Sequence, residues 1–474
     1  MFRDRSAAIA DNQPVTGAGA AVTPGPTGPI ILVTGVGCPN QLRSWADGRL
    51  RDRACGIIAD ANRQAIGVAA ADLDADGEEE LYVHNTGGGA CATTDLLLDR
   101  IDHNGRTVWC DAFAHSVNAD RGNVTAGRSV AAVDRLGTGR YGMVVASSEA
   151  TTRCYELGDD GEITDMADAI GLDATCEARS LLAAPLVTER MDLFVGVDDG
   201  PNRLFRNDDG HFVDVADTVG VDAPEADARG VTLVDAGDGT TAVAVGSWDG
   251  ENHLFVPTDT GFSDVSPPGF ADPARVRTLL SADFDNDGRH ELFVNVCGGP
   301  NRLFAPAVTD GAIDEVSTTD GATAATATGW EPRPLGAAAE PAGRGTGAVV
   351  ADLDGDGRLE LLVVGGDDAQ PLSLYDAPTD NDWLRVRPTT QHGAAARGAV
   401  VTLDTDRGRQ RRVIDAGSGY LCQSEPVAHF GLGGATAPQQ TPRQLTVRWL
   451  DGRKRTIEHP ATTTTHTIAH PASG

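Results

Sequence analysis

Lysine, aromatic residues and long apolar runs are scarce in this sequence, and these scarcities narrow what the protein can be. Lys454 is the only lysine of the 474 residues, and aromatic residues make up 5% of the chain. No run reaches the roughly 18 apolar residues that a transmembrane helix needs. The 38 Lys and Arg residues against 69 Asp and Glu residues give a formal charge of −31, so the chain repels nucleic acid and anionic membranes. A cation is the partner that this charge favours.

The acidity also has an ordinary explanation. A chain with almost no lysine and many Asp, Gly, Ala, Thr and Val residues resembles the proteins of salt-in halophiles. In molar salt the Debye length is about 3 Å, so a strongly acidic surface hardly repels itself and mainly holds water and counter-ions. We therefore expect most carboxylates to be solvating groups and only a minority to bind a specific ion.

Common catalytic motifs are absent as well. The sequence has no His-Glu-x-x-His stretch, no Cys-x-x-Cys pair and no Gly-x-Ser-x-Gly elbow. Ser418 lies between two glycines, which is typical of a turn, and His429 lies in an apolar stretch, which is typical of a core histidine. Trp248 and Trp330 fit either a carbohydrate site or ordinary packing. We therefore expect no enzyme and no catalytic residues.

What the chain does contain is a repeated unit built around a short apolar strand. Seven copies of this strand recur at intervals of 49 to 69 residues, beginning at Ile30, Glu80, Gly142, Asp192, Ala242, Glu291 and Glu360. This spacing suits one four-stranded sheet per repeat. Sheets of one kind bury their faces against each other, and a radial arrangement leaves few exposed edges. The repeats predict an all-β fold, a seven-bladed β-propeller over residues 30–380.

The segments outside the repeats are predicted to form other structures. Residues 1–29 are rich in Gly, Pro and Ala and are expected to form a flexible lead without a visible signal peptide. Residues 317–347 are of low complexity and are expected to form a mobile loop between the last two blades. Residues 381–460 contain strands separated by turns and predict a second, small β domain. Residues 461–474 are expected to fray.

Three repeats carry a nine-residue acidic loop between two predicted strands. The loops are Asp72-Leu-Asp-Ala-Asp-Gly-Glu-Glu-Glu80, Asp283-Phe-Asp-Asn-Asp-Gly-Arg-His-Glu291 and Asp352-Leu-Asp-Gly-Asp-Gly-Arg-Leu-Glu360. Carboxylates at positions 1, 3, 5 and 9 with glycine at position 6 suit a hard dication, which binds several oxygen ligands from one tight turn. The alternatives are an ordinary acidic turn and an EF-hand, but the EF-hand has flanking helices and a Glu at position 12.

The repetition of the pattern at one place in the repeat favours calcium, with about three sites. The predicted side-chain ligands are Asp72, Asp74, Asp76, Glu80, Asp283, Asp285, Asp287, Glu291, Asp352, Asp354, Asp356 and Glu360. The backbone carbonyl at position 7 is a further predicted ligand, from Glu78, Arg289 and Arg358. A decayed loop such as the one that begins at Asp134 is expected to bind no metal tightly.

Six of the eight cysteines fall in pairs within single blades. The pairs are Cys38 with Cys55, Cys91 with Cys110, and Cys154 with Cys176. Disulfides within blades are our hypothesis, which implies an oxidising compartment, and free thiols are the alternative. Cys297 and Cys422 are left without an assigned role.

The acidic loops resemble those of FG-GAP/VCBS repeats, the propeller units of integrin α-subunits. The last domain is similar to the ASPIC/UnbV domain. The stretches that match it are Ala396-Arg-Gly-Ala-Val-Val401, Asp415-Ala-Gly-Ser-Gly-Tyr-Leu421, His429-Phe-Gly-Leu-Gly433 and Val447-Arg-Trp-Leu-Asp-Gly452. The combination, over roughly residues 30–460, resembles the cartilage acidic protein family, although Asp is more usual than Glu at position 9 there.

The resemblance implies a calcium-binding, non-catalytic propeller that presents a surface to a protein or glycan, in an adhesion or interaction role. We expect a monomer at the cell surface or outside the cell, although the lack of a visible signal peptide leaves the cytoplasm open. The alternative is a lyase or hydrolase that acts on polysaccharide in the central well of the propeller. A purely structural module is a third possibility.

Overall fold

The structure, a computed structural model, shows a chain built almost entirely of β-strands. The α-helices in the described part are two single turns, α1 (Ala167–Ile170) and α2 (Ala216–Val219). Short 3-10 helices lie at Ser6–Ala8, Gly56–Ile58, Ala112–Ala114, Ser116–Asn118 and Ala337–Ala339. No helix among the described residues has the length and apolarity to cross a bilayer. The structure describes residues 2–85, 93–102, 107–148, 150–237, 239–307, 316–317, 323–324, 329–366 and 368–473.

Seven antiparallel sheets of four strands each occupy the described chain up to Asp376, and we number them in the order of their first strands. The chain begins with β1 (Arg3–Asp4), which belongs to sheet 7. Sheet 1 holds β2 (Gly17–Gly25), β3 (Gly28–Gly35), β4 (Gln41–Ala46) and β5 (Arg49–Asp52). Sheet 2 holds β6 (Ala65–Ala71), β7 (Glu80–Asn85), β8 (Leu96–Asp102) and β9 (Thr107–Asp111). Sheet 3 holds β10 (Gly127–Val133), β11 (Gly142–Ser147), β12 (Arg153–Leu157) and β13 (Ile163–Asp165).

The remaining sheets follow the same order. Sheet 4 holds β14 (Ala178–Ala184), β15 (Asp192–Val197), β16 (Arg203–Asp208) and β17 (His211–Asp214). Sheet 5 holds β18 (Ala228–Gly237), β19 (Thr240–Ser247), β20 (His253–Thr258) and β21 (Gly261–Asp264). Sheet 6 holds β22 (Val276–Ala282), β23 (Glu291–Val296), β24 (Arg302–Pro306) and, after the separate pair β25 (Val316–Ser317) and β26 (Thr323–Ala324), β27 (Trp330–Arg333). Sheet 7 holds β28 (Ala348–Ala351), β29 (Glu360–Val363), β30 (Ser373–Asp376) and β1.

The first strands of the sheets lie around a common axis. Each of them contacts the first strand of the next sheet, and β28 of sheet 7 contacts β2 of sheet 1. The second strands are largely apolar and buried, and β15 and β23 are buried over their whole length, because each sheet packs between two neighbours. The predicted all-β propeller is confirmed.

The expectation that residues 1–29 form a flexible lead is wrong. Strand β1 pairs with β30 and completes sheet 7, and β2 is the first strand of sheet 1. The Gly- and Ala-rich composition of β2 reflects crowding at the axis. A Cβ on Gly19 would lie 2.2 Å from the carbonyl oxygen of Leu421, so only glycine leaves room for the backbone there.

The low-complexity segment lies only in part where it was expected. Part of residues 317–347 is outside the described residues, but β27 and residues 334–347 are described. Because β27 pairs with β24, the part before β27 falls between the third and fourth strands of sheet 6, and residues 334–347 connect sheets 6 and 7 as expected. Trp330 begins β27 and packs in the apolar core of sheets 5 and 6, which anchors the end of the segment.

The second domain consists of two small sheets. One has the order β34 (Ala428–Gly433), β31 (Asp382–Pro388), β37 (Thr465–Ile468). The other has the order β33 (Gly408–Val413), β32 (Val400–Thr405), β35 (Pro442–Arg448), β36 (Lys454–Glu458). The expectation that residues 461–474 fray is wrong, since β37 pairs in parallel with β31 and buries Ile468 in the domain core.

Residues 415–425, which we call the axial segment, extend from the second domain into the axis of the propeller. Ala416 pairs with Ala183 of β14, and Gly419 pairs with Val231 of β18. The amide of Gln423 donates to the carbonyl of Ala70 at 2.9 Å. The segment therefore contacts the first strands of several sheets and fills the axis between them.

The predicted disulfides are wrong where the structure describes both cysteines. Cys38, Cys55, Cys154 and Cys176 are free thiols, and Cys91 lies outside the described residues. Cys154 is fully buried in the apolar core of sheets 2 to 4, which raises the pKa of its thiol, and it packs there as a small apolar side chain. Cys110, Cys297 and Cys422 are free as well, so the cysteines no longer indicate an oxidising compartment.

Candidate metal centres

The three acidic loops connect the first and second strands of sheets 2, 6 and 7. In each sheet the glutamate at position 9 begins the second strand and lies opposite the last residue of the first strand. The pairs are Ala71 with Glu80, Ala282 with Glu291, and Ala351 with Glu360. Because the register is the same, the loops present their carboxylates at equivalent places, on the face of the propeller where the first strands end.

The aspartate at position 1 folds each loop around its own carboxylate. It accepts the backbone N–H of the glycine at position 6 in all three loops. The distances are 3.1 Å from Gly77 to Asp72, 2.9 Å from Gly288 to Asp283 and 3.1 Å from Gly357 to Asp352. These glycines have φ angles of +95°, +98° and +83°, a backbone region that other residues rarely adopt. Positions 1 and 6 are therefore required for the turn itself.

The glutamate at position 9 closes the loop from the other side. Its Oε2 atom accepts the backbone N–H of position 2, at 2.5 Å from Leu73, 2.8 Å from Phe284 and 2.8 Å from Leu353. In sheet 2 the second oxygen, Oε1 of Glu80, is buried and has no hydrogen-bond partner among the described residues. A buried carboxylate oxygen without a partner is costly, so this atom fits a cation ligand.

In sheets 2 and 6 the carboxylates of positions 1, 3 and 9 converge. Within each set, one oxygen from every side chain lies within 4.8 Å of the others. The two sets are Asp72, Asp74 and Glu80, and Asp283, Asp285 and Glu291. Oxygens that bind one calcium ion at 2.3–2.6 Å are at most about 5 Å apart, so the spacing of both sets suits this ion.

The electrostatics of these two clusters favour a bound cation. Burial, and to a lesser extent the carboxylate of Asp74, raises the pKa of Glu80 to about 10. Burial raises the pKa of Asp72 to about 7 and the pKa values of Asp283 and Glu291 well above the usual range. Among the described residues, no arginine pairs with Asp74 or Glu80. Without a cation, burial therefore favours the protonated form of these carboxyl groups.

The side chain at position 5 has a different environment. Its carboxylate accepts the backbone N–H of position 7, at 2.8 Å in both Asp76 and Asp287 and 2.9 Å in Asp356. Arg289 also pairs with Asp287 at 2.6 Å, and Arg358 pairs with Asp356. In sheets 6 and 7 this carboxylate therefore has a cationic partner already. Coordination by the carbonyls of Glu78, Arg289 and Arg358 stays a prediction.

The loop of sheet 7 differs from the other two. Its converging carboxylates are those of Asp352, Asp354 and Asp356, without Glu360. The guanidinium of Arg5, which follows β1, lies 2.8 Å from Oε1 of Glu360 and 3.0 Å from Oδ2 of Asp354. Arg5 therefore pairs with positions 3 and 9, where sheets 2 and 6 have no such partner in the described part of the chain. No sequence pattern links Arg5 to this loop, because the contact depends on the pairing of β1 with β30.

The second domain also reaches the acidic loops, which the sequence did not indicate. The backbone N–H of Gly431 donates to Oδ2 of Asp283 at 2.8 Å, and the ring of His429 lies 2.7 Å from Oδ1 of Asn286. Arg385 donates to Oδ2 of Asp352 at 2.9 Å. The acidic loops are thus part of the contact between the two domains.

Comparison with known proteins identifies the family. The chain is 37% identical to "Cartilage acidic protein 1" of Mus musculus over 476 residues, which cover 91% of this chain and 68% of the relative. It is also 37% identical to "Cartilage acidic protein 1" of Homo sapiens, over 89% of this chain and 67% of the relative. The chain belongs to the cartilage acidic protein family.

Two family models match parts of this member of the cartilage acidic protein family. The FG-GAP-like repeat matches residues 236–294, which include the acidic loop of sheet 6. The model "ASPIC and UnbV" matches residues 389–474 and so includes the axial segment and β37. One solved structure that the chain matches is YCF48 from Cyanidioschyzon merolae. The two chains are 9% identical, with a TM-score of 0.44, and the match covers 80% of this chain and 98% of that one. That similarity is too low to support an argument about function.

Proposed function

We propose that this protein is a non-catalytic, calcium-binding propeller whose metal-bound loops hold the second domain against it. The observation that carries the proposal is the pair of buried carboxylate clusters in sheets 2 and 6, whose oxygens lie within 4.8 Å of one another. Oε1 of Glu80, buried and without a hydrogen-bond partner among the described residues, supports the same conclusion. Oxygen-only ligand sets of this kind suit calcium better than a transition metal.

The three loops are not equivalent in this proposal. Calcium binds tightly in sheets 2 and 6, whose carboxylates at positions 3 and 9 lack arginine partners in the described chain. In sheet 7 calcium competes with Arg5, which already neutralises Asp354 and Glu360. We therefore expect two tight sites and a weak or absent third site.

Calcium acts in this proposal through the geometry of the loops. The carbonyl of Asp285 accepts hydrogen bonds from Thr379 at 2.8 Å and from Asn381 at 2.9 Å, and the carbonyl of Asp287 accepts one from Gln440 at 3.0 Å. These donors belong to the connection between the domains and to the second domain. An ion that fixes the loop of sheet 6 therefore also fixes the surface on which the second domain docks.

A catalytic role in the central well has less support. The axial segment fills the axis of the propeller, and the hydroxyl of Ser418 donates to Oδ2 of Asp415 at 2.6 Å and not to a histidine. A protein or glycan partner and an extracellular location remain part of the proposal. With the cysteines free, both rest on the resemblance to the FG-GAP and ASPIC/UnbV proteins.

Metal analysis combined with hydrogen exchange tests the proposal. The protein is dialysed against calcium-free high-salt buffer, and bound metal, melting temperature and amide exchange are measured before and after calcium is returned, with magnesium as a control. We expect about two calcium ions per chain, a higher melting temperature and slower exchange in the acidic loops and in residues 379–381 and 429–440. No bound calcium, or equal stabilisation by magnesium, would contradict it.

A further inference from the structure

Four consecutive sheets place an arginine at the same position of their first strand. It is the second residue of β10, β14, β18 and β22, namely Arg128, Arg179, Arg229 and Arg277. In each strand the register with the next strand shifts at this point, as in a β-bulge. Bulges redirect side chains at strand ends, so four arginines from four sheets gather at one end of the axis. Sheets 1 and 2 have Ala18 and Ile66 there instead.

Three of these arginines line a cavity at that end of the axis, and Arg128 lies outside its wall. Its volume is about 500 Å³, and its wall includes Arg179, Arg229 and Arg277. Tyr420 and Leu421 of the axial segment form part of the same wall and close the axis behind it. A volume of this order is that of a small-molecule site, for which roughly 300–1,000 Å³ is typical.

Trp248 adds an aromatic surface to this cavity. The guanidinium carbons of Arg229 and Arg277 lie 5.8 Å and 5.1 Å from the centre of its ring. The sequence left open whether Trp248 packs or lines a ligand site, and its position in the cavity wall favours the second alternative. Trp330, by contrast, is buried in the core of sheets 5 and 6.

Two of the cavity arginines share acidic partners. Asp198 pairs with Arg179 and, at 3.0 Å, with Arg229, which also pairs with Asp227 at 2.8 Å. Arg128 has no ion pair among the described residues, and its Nε atom is buried there without a hydrogen-bond partner. Burial lowers the pKa of Arg128, and the nearby charge of Arg179 lowers it further. A group of four arginines at one place is unusual in a chain with a formal charge of −31.

We propose that this arginine-lined cavity binds a small organic carboxylate of the size of a sugar acid. Guanidinium groups bind carboxylates through paired hydrogen bonds, and the indole of Trp248 together with the apolar side chains of Ala18 and Ile66 accepts the ring or carbon chain of the ligand. The cavity lies where the first strands begin, opposite the acidic loops, which lie where those strands end. The site is therefore separate from the proposed calcium sites and goes beyond that function.

Calorimetric titration of the calcium-saturated protein at constant ionic strength tests this site. The probes are glucuronate, an oligosaccharide that ends in glucuronate, glucose and inorganic sulfate. We expect glucuronate to bind and glucose not to bind. Tighter binding of the oligosaccharide would assign the site to the end of an acidic glycan, and equal binding would assign it to the free sugar acid. Equal binding of sulfate, or no binding of either acid, would overturn the proposal.

Variants separate the site from general charge effects. Arg277→Gln is expected to weaken glucuronate binding at least tenfold. Arg277→Lys is expected to weaken it less, because lysine keeps the charge but cannot donate the paired hydrogen bonds of a guanidinium group. Arg128→Gln tests the charge without breaking an ion pair among the described residues, so its melting temperature is expected to be unchanged. The control is Arg206→Gln, an exposed arginine on β16 that pairs with Asp208 at 2.6 Å. Equal affinity of all variants would contradict the assignment.

Discussion

At the scale of single residues, the decayed loops separate the residues that fold a loop from those that bind the ion. In sheet 3 Asp134 accepts the backbone N–H groups of Gly137 and Gly139 at 2.8 Å and 2.6 Å, as position 1 does in the acidic loops. In sheet 4 Asp192 accepts the N–H of Leu186 at 3.0 Å, as position 9 does. Neither loop has an acidic residue at position 3, which is Leu136 in sheet 3 and Val187 in sheet 4, so an acid at position 3 is the feature that follows the proposed metal.

Asp74→Asn is expected to remove one calcium ion without disturbing the loop. Asparagine keeps the oxygen that accepts the N–H of Asp76, at 3.0 Å, but loses the charge that calcium needs. We expect the melting temperature to be unchanged without calcium and its rise on calcium addition to be reduced by about half. Thermal melting with and without calcium, and metal analysis, measure this.

The control is Asp134→Asn in the decayed loop. It weakens hydrogen bonds to buried backbone groups, so it is expected to cost about 1–3 kcal/mol equally with and without calcium. A calcium-dependent effect of Asp134→Asn, or unchanged calcium content in Asp74→Asn, would contradict the division of roles.

The raised pKa of Glu80 predicts the direction in which the stability of the folded protein changes with pH. Without metal its pKa is about 10 in the folded protein and near 4.5 in the unfolded chain, so the folded state holds the proton more tightly. The contribution of Glu80 to stability is fully present below pH 4.5 and is lost as the pH rises towards 10. We expect the calcium-free protein to lose stability over this range and the calcium-bound protein to keep it.

Calcium binding must then release protons. Titration calorimetry at pH 7 in buffers of different ionisation enthalpy measures this release, which is expected to fall in Glu80→Gln. Calcium binding without proton release would show that the carboxylates are already ionised in the metal-free protein. Equal pH dependence of the two forms would lead to the same conclusion.

At the scale of strands, the composition and spacing of a strand decide whether it could be located from the sequence. The second strands and acidic loops repeat with one spacing and one register, so both could be located from the sequence. Strand β2 could not, because its glycines serve close packing at the axis and resemble a linker. Strand β1 is two residues long and pairs with β30, more than 370 residues away. The axial segment has no strand pattern, since the propeller supplies its partners.

Gly19→Ala tests the close packing of β2 against the axial segment. The new Cβ would lie 2.2 Å from the carbonyl oxygen of Leu421 and 2.7 Å from that of Ile66, and neither backbone can move freely. Overpacking of this kind costs about 1–3 kcal/mol. We expect a lower melting temperature and faster hydrogen exchange in the axial segment. The control is Gly200→Ala, whose Cβ would lie 3.5 Å from the nearest side chain. Equal melting of the two variants would exclude crowding at Gly19.

At the scale of the whole molecule, segments from the two halves of the chain, β1 and the second domain, both contact the propeller. Strand β1 from the start of the chain completes sheet 7, and the second domain covers the acidic loops and fills the axis. Arg5 and Arg385 both reach the loop of sheet 7, one from each end of the chain. Through these two arginines, the loop of sheet 7 contacts both the segment that completes the propeller and the second domain. In sheet 6 we propose that calcium, and not arginine, supports the contact with the second domain.

Arg5→Gln is expected to convert the loop of sheet 7 into a calcium site. The substitution removes the positive charge that pairs with Asp354 and Glu360. Burial raises the pKa of Glu360 to about 9, so its negative charge is unfavourable until another cation binds. We expect a lower melting temperature without calcium, recovery with calcium, and an increase from two to three ions per chain. The control is Arg3→Gln, because Arg3 pairs with Asp376 and not with the loop. Three ions in the unaltered protein, or two in Arg5→Gln, would show that Arg5 does not replace calcium there.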